Sequence, residues 1–221
     1  MRQQEQDPIF YTQTTTRSAN PTEKDMESLL HILKYLNGTK EFGLVYKSTG
    51  EILLSCYIDA SFNCHGDARG HSGYVIFPDT TGSSGILFKS CKQKRVADSS
   101  AESELMALHE SIQYLIYVSN LFEELGYKQE TMPVFEDNVA TIQMASSEQV
   151  NFKGKSKFIN RKYFGVHQYV EDGTIKLVHV GTESNVADFL TKELQGKKFF
   201  RFRIDILGDV REIIRGTEHI I

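Results

Sequence analysis

The chain has 221 residues, of which 40% are hydrophobic and 24% charged, and its formal net charge is −4. This composition is ordinary for a globular protein and excludes one whose whole surface is basic enough to grip nucleic acid. No apolar run approaches the roughly 18 residues of a membrane span, and the first residues lack the apolar stretch of a signal peptide. We therefore expect an intracellular protein with no membrane partner. The three cysteines form no CxxC pair, which argues against a disulfide framework or a structural zinc site.

The first predicted element is a helix. Asn20 is a candidate N-cap with Pro21 at the first helical position, and Asn37-Gly38 is typical of a helix end. Apolar residues recur between them at helical spacing, at Met26, Leu29, Leu30, Leu33 and Leu36. We expect Phe42–Tyr46 to form a strand after this helix.

Strands and helices alternate through the rest of the chain. The predicted strands are Ile52–Asp59, His71–Phe77, Ile86–Lys89, Met132–Glu136 and Ile175–Val180. The predicted helices are Ser99–Leu125, Asn138–Ser146, Phe158–Glu171 and Asn185–Leu194. Short links make the first three strands antiparallel, and helical crossovers make the later ones parallel. The predicted fold is α/β, with a mixed five-stranded sheet flanked by helices.

Acidic residues follow two of these strands and begin the last helix. Asp59 and Asp137 lie at the carboxyl ends of strands, where open α/β sheets form their sites. Strands also often end in polar residues, so two such acids are suggestive and not decisive. Asp188 lies near the start of the last helix, where the helix dipole alone favours an acid.

The long helix offers two glutamates with different predicted roles. Ser99 and Glu102 have the spacing of a capping box, which gives Glu102 a structural role. Glu104 lies closer to the apolar stripe of the helix and so points along the edge of its sheet-facing side. We therefore favour Glu104 as the functional carboxylate, with Glu102 as the alternative. Four carboxylates in one crevice would repel one another, and magnesium, which prefers oxygen ligands, would relieve that cost.

These residues lie in stretches that resemble the ribonuclease H domain of copia-type retrotransposon polyproteins. The matching stretches are YIDASF (57–62), HSGYVIF (71–77), KSCKQKRVADSSAESELMAL (89–108), FEDNVATI (135–142), DGTIKLVHVGTESNVADFLTK (172–192) and LQG (194–196). The resemblance implies a ribonuclease H-like fold and an endonuclease that hydrolyses the RNA strand of RNA/DNA hybrids. It also implies two Mg²⁺ ions, replaceable by Mn²⁺, and assigns the metal-binding and catalytic roles to Asp59, Glu104, Asp137 and Asp188.

The N-terminal stretch NPTEKDMESLLHILKYLNGTKEFGLVY (20–46) resembles the end of a reverse transcriptase thumb and its connection. We therefore predict a polymerase remnant over 1–50, the ribonuclease H-like domain over 51–196 and a tail over 197–221. The implied partners are an RNA/DNA hybrid and the polymerase domain of the parent enzyme. The implied location is the cytoplasm or, if the element is expressed, a retroelement particle.

Two features depart from the family pattern. Phe158 and Asn160 stand where the family usually has His and Asp, which predicts a changed substrate contact or local packing. The loop Gly181–Asn185 lacks the His that cellular ribonucleases H often carry before the last acid. His179 lies in the preceding predicted strand instead, and we interpret it as a structural residue.

Contacts to nucleic acid are predicted at Lys92, Lys94 and Arg95, where the alternative is a solvated loop, and at Asn138, which could reach an RNA 2′-hydroxyl. A second hypothesis for the chain is a non-catalytic, domesticated or decaying remnant that binds nucleic acid or protein. A third, an integrase-like nuclease, would need its acids in the order Asp, Asp, Glu, whereas Glu comes second here.

Overall fold

The computed structural model describes residues 19–40, 42–44, 46, 52–80, 84–147 and 157–208, with backbone only for 157–161. Its strands are β1 (Ser55–Ser61), β2 (His71–Phe77), β3 (Leu87–Lys92), β4 (Met132–Glu136) and β5 (Ile175–His179). Its α-helices are α1 (Glu23–Gly38), α2 (Ser100–Glu124), α3 (Val139–Ser146), α4 (Lys157–Glu171) and α5 (Gly196–Leu207). Two short 3-10 helices, Thr182–Ser184 and Val186–Leu190, lie between β5 and α5.

The five strands form one mixed sheet in the order β3-β2-β1-β4-β5. β1 pairs antiparallel with β2, and β2 pairs antiparallel with β3. β4 is parallel to both β1 and β5. The sheet predicted from the sequence is therefore confirmed in its number of strands and in their directions.

Each face of the sheet is covered by a different set of helices. On one face, side chains of β1 and β2 pack with α2 and α4 in a core that includes Ile58, Ile76, Leu108 and Val166. On the other face, Val75 and Phe77 of β2 pack against the 3-10 segment and α5, in a second core with Val186, Leu190, Phe202 and Ile206. The alternation of side chains along β2 divides its residues between these two cores.

Three predictions about local structure, two for helices and one for a strand, need correction. The cap of α1 is Thr22 and not Asn20, because Thr22 and Asp25 form a reciprocal capping box with the backbone of α1. The predicted strand Phe42–Tyr46 is irregular backbone wherever the structure describes it, at 42–44 and 46. The predicted last helix Asn185–Leu194 is a short 3-10 helix over Val186–Leu190. After it, the backbone N–H groups of Thr191 and Lys192 both donate to the carbonyl of Asp188.

An α-helix follows this turn at a place where no element was predicted. α5 buries Phe199, Phe202 and Ile206 against the sheet, so the predicted tail from residue 197 begins inside a packed helix. Phe158 and Asn160 lie in α4, but their side chains fall outside the described part of the chain. The consequence of these two replacements stays a prediction.

Candidate metal centre

The parallel pairing of β1 and β4 brings two of the predicted acids together. Tyr57 of β1 is in register with Phe135 of β4, so Asp59 and Asp137 each lie two residues further along neighbouring strands. Both strands end at the same edge of the sheet, which is where α/β proteins place their sites. Asp59 is almost fully buried there and Asp137 is half-buried.

The third acid comes from the first turns of α2. Ser99 caps this helix through the backbone N–H of Glu102, at 3.2 Å. The carboxylate of Glu102 accepts a hydrogen bond from the backbone N–H of Asp98, at 3.0 Å, and so stabilises the helix start from the residue before the cap. Two residues further along, Glu104 is directed into the protein and is 5% exposed.

Asp59, Glu104 and Asp137 converge on one point. A carboxylate oxygen from each lies within 4.8 Å of the others. Oε2 of Glu104 is buried without a hydrogen-bond partner in the structure. A buried polar atom without a partner is unfavourable unless a ligand satisfies it, and three oxygen donors at this separation suit a hard divalent cation. These residues therefore fit the metal that the sequence led us to expect.

The centre is electrostatically strained when no cation is bound. Burial, and next the charges of Glu136, Asp59 and Asp137, hold the pKa of Glu104 well above its usual value. Burial raises the pKa of Asp59 as well, although Lys192 opposes that rise. The raised pKa values of both carboxyl groups reflect a cost of charging them in this buried position, and a bound cation would relieve that cost.

Glu136 is a member of this acidic group that the sequence analysis did not single out. It is fully buried at the end of β4, and one of its oxygens accepts the backbone N–H of Asn138 at 2.9 Å while the other has no partner in the structure. Burial raises its pKa to about 8. The pair Glu136-Asp137 was a possible indication, but the side-chain alternation of a strand could not say which of two adjacent acids is buried.

Asp188 lies beside the three-carboxylate group and not within it. Its carboxylate forms ion pairs with Lys192, four residues further along, and with Lys198 of α5, at 2.9 Å. Lys192 also contacts Asp59 at 3.2 Å, so its ammonium group bridges the two carboxylates. The structure thus brings three of the four predicted ligands together and joins the fourth to them through a lysine.

The segment that carries Asp188 is fixed to the sheet by several hydrogen bonds. The side-chain amide of Asn185 donates to the carbonyl of Ile58 on β1, at 2.7 Å. The hydroxyl of Thr191 donates to Asp59 in a short contact. Gly73 of β2 lets the segment approach, because a Cβ there would come within 2.7 Å of Leu190 and Thr191 side-chain atoms.

The predicted nucleic-acid contacts lie around the start of α2. Lys94 and Arg95 are exposed, whereas Lys92 pairs with Asp67 at 2.8 Å. Asn138 caps α3 by accepting the backbone N–H of Thr141, at 3.1 Å. These roles in binding remain predictions.

His179, which we interpreted as structural, is an exposed residue of β5. It is in register with Glu136 on the neighbouring strand. Its exposure removes the argument that it serves the core.

The fold and the site together define an α/β protein that has, at the carboxyl edge of a mixed sheet, a cluster of three carboxylates able to hold a divalent cation. The chain is 31% identical over 184 residues to the retrovirus-related Pol polyprotein from transposon RE1 of Arabidopsis thaliana, a match that covers 82% of this chain. It is 30% identical over 180 residues, or 81% of the chain, to the Pol polyprotein from transposon TNT 1-94 of Nicotiana tabacum. The chain is a homologue of the Pol polyproteins of copia-type retrotransposons, as its motifs predicted.

The chain spans 12% of the length of the RE1 polyprotein and 13% of that of TNT 1-94. No family model matches it. None of the described helices has the length and apolar character that a bilayer crossing requires.

Solved ribonuclease H structures are similar at low sequence identity. The N-terminal RNase H domain of rv2228c from Mycobacterium tuberculosis aligns with a TM-score of 0.49 at 13% identity, covering 69% of this chain and 97% of that one. LC11-RNase H1, solved in complex with an RNA/DNA hybrid, aligns with a TM-score of 0.46 at 19% identity, covering 62% and 93%.

Proposed function

We propose that this chain is a divalent-cation-dependent endonuclease that hydrolyses the RNA strand of RNA/DNA hybrids, as the ribonuclease H part of a retrotransposon reverse transcriptase. One observation carries the proposal: Asp59, Glu104 and Asp137, from three separate elements, place carboxylate oxygens within 4.8 Å of one another. Homology to retrotransposon Pol polyproteins supports the choice of substrate.

The proposed resident cation is Mg²⁺, with Mn²⁺ as a substitute. Asp59, Glu104 and Asp137 would hold one ion. The resemblance implies a second ion, for which Asp188 is the remaining assigned ligand. Bound there, the cations would supply Lewis-acid stabilisation of the phosphodiester and a more acidic water. The described carboxylates fix the position of that chemistry, because buried strand ends and a capped helix support them.

The surroundings of α2 provide a surface for the nucleic-acid backbone. Gln93 donates to the carbonyl of Ser103, at 2.9 Å, and accepts from the Ser103 hydroxyl, at 3.0 Å. Ser103 precedes Glu104, so this buried pair connects the basic run Lys92–Arg95 to the helical turn that carries Glu104. Exposed Lys94 and Arg95 are suited to phosphate contacts, which set position and not sequence preference.

The test is cleavage of a labelled RNA/DNA hybrid by the full chain in Mg²⁺. We expect RNA-strand fragments that end in a 3′-hydroxyl and a 5′-phosphate, and no cleavage in EDTA. Matched DNA duplex and RNA duplex are the controls. Hybrid binding without cleavage in either Mg²⁺ or Mn²⁺ would instead favour the non-catalytic remnant.

A further inference from the structure

The acidic centre has a second part that is not arranged like the first. Lys192 lies between Asp59 and Asp188, and Lys198 contacts the other oxygen of Asp188 at 2.9 Å. Both aspartates are almost fully buried, while the side chains of Lys192 and Lys198 are 38% and 25% exposed. Two ammonium groups therefore face two buried carboxylates, and this part of the site is close to neutral.

We propose that Lys192 is a built-in counter-cation that occupies the position of a second metal ion, so that a second ion binds only by displacing it. This inference rests on the proposed function and deepens it. A divalent ion entering between Asp59 and Asp188 gains little net attraction while both ammonium groups remain. The same ion among Asp59, Glu104 and Asp137 meets carboxylates with no described ion pair except that of Asp59 with Lys192.

The structure also allows the displacement. Lys192 reaches the carboxylates from a partly exposed position, and its long side chain can turn its ammonium group back into water. The ammonium group of Lys192 forms ion pairs with Asp59 and Asp188, and it therefore competes with a divalent ion as a cation for the same two carboxylates. In this role Lys192 does not take part in the chemistry, but it makes the second ion bind more weakly than the first.

Metal binding can be measured without catalysis. Mn²⁺ would be titrated into the ion-free full chain, with bound ion counted by calorimetry and free ion by electron paramagnetic resonance. For the wild type we expect one ion to bind at least about tenfold more tightly than the second, equivalent to about 1.4 kcal/mol. In Lys192→Gln, the ratio of the two dissociation constants should be at least about tenfold smaller than in the wild type. In Lys192→Arg, which keeps the charge, this ratio should be the same as in the wild type.

The matched control is Lys176→Gln, which removes the same charge from an exposed residue near the start of β5. It should leave the gap unchanged, which separates a local effect from a change in net charge. Equal affinities in the wild type, or an unchanged gap in Lys192→Gln, would overturn the inference. If Lys192→Gln fails to fold without ions, the wild-type titration still tests the inference, because equal affinities for the two ions would overturn it.

Hybrid cleavage measured in parallel keeps the two proposals apart. A wide affinity gap without cleavage would refute the proposed function and leave the role of Lys192 standing. Cleavage with two equal affinities would do the reverse.

Discussion

The two parts of the acidic centre deal with buried charge in opposite ways. In the part formed by Glu104, Glu136 and Asp137, burial and mutual repulsion dominate, and two carboxylate oxygens have no hydrogen-bond partner among the described residues. In the part formed by Asp59 and Asp188, the chain supplies its own cations. The first arrangement costs folding free energy that a bound cation would relieve, whereas in the second the lysines already offset the charges of the carboxylates.

The comparison separates carboxylates that lack a described counter-ion from carboxylates that already have one. Buried acids without partners indicate a function, because a chain selected for stability alone would not keep them. Acids paired with lysines do not carry that indication. Asp59 belongs to both parts, so its substitution would not distinguish them. Substitutions of residues that belong to one part alone, such as Glu104 or Asp188, would.

The largest expected effect is on catalysis, from the binding part. Asp137→Asn keeps the size of the side chain and removes its charge, so cleavage of the hybrid should fall by far more than about tenfold, or ~1.4 kcal/mol of transition-state stabilisation. Glu124→Gln, an exposed charge change at the end of α2, is the matched control and should cleave normally. Activity of Asp137→Asn within about tenfold of wild type would remove Asp137 from the centre.

The second largest expected effect is on the free energy of unfolding of the metal-free chain, which should depend on pH. The folded pKa of Glu136 is about 8, and those of Glu104 and Asp59 are also raised. The folded chain therefore binds more protons than the unfolded chain up to about pH 8, and the free energy of unfolding should fall as pH rises. His71, whose pKa burial lowers to about 4, gives the opposite slope only below its unfolded value of 6.5.

Melting temperatures between about pH 6.5 and 8 in EDTA therefore isolate the acids. We expect a decline across this range, a smaller decline in Glu136→Gln, and a smaller decline again for the wild type in Mg²⁺, which replaces the protons. A melting temperature that rises with pH in EDTA would contradict the unrelieved repulsion among these carboxylates.

A third prediction concerns the paired part. Asp188→Asn leaves Lys192 with one carboxylate and Lys198 without its buried partner, so the chain should lose on the order of 1–3 kcal/mol of stability. This figure is below that for a fully buried pair because both lysines are partly exposed. Chemical denaturation in EDTA measures it, with Glu104→Gln as the contrast, which should lose nothing or gain. Equal losses in both variants would erase the distinction between the two parts.

The smallest effect separates the neighbouring glutamates of α2. Glu102→Ala removes the hydrogen bond to Asp98 at the helix start and should lose about 0.5–2 kcal/mol of stability while keeping hybrid cleavage. Glu104→Gln should show the opposite pattern. If Glu102→Ala abolishes cleavage and keeps its stability, the two roles are reversed.

The sequence predicted much of the framework because local patterns determine it. β2 and β4 have the predicted bounds, and Ser99 caps α2 as expected. The cap of α1 was placed two residues early, since Asn20-Pro21 is also a common helix start and Asn20, like Thr22, has an acid three residues after it; the reciprocal capping bonds form between Thr22 and Asp25. α5 was missed because its apolar residues lie within a run of Lys and Arg that is typical of solvated surfaces.

The acids themselves follow from the sequence, because strand ends and helix spacing place Asp59, Asp137 and Glu104 at one edge of the sheet. Their partners do not. Nothing in the sequence around Lys192 indicates that it contacts Asp59, and Lys198 belongs to a helix that was not predicted. The contact between Asp188 and Lys192 joins residues four positions apart, but the neutralisation of Asp59 depends on Lys192, 133 positions away in the sequence. Local spacing carries no information about such contacts, so only the tertiary structure decides them.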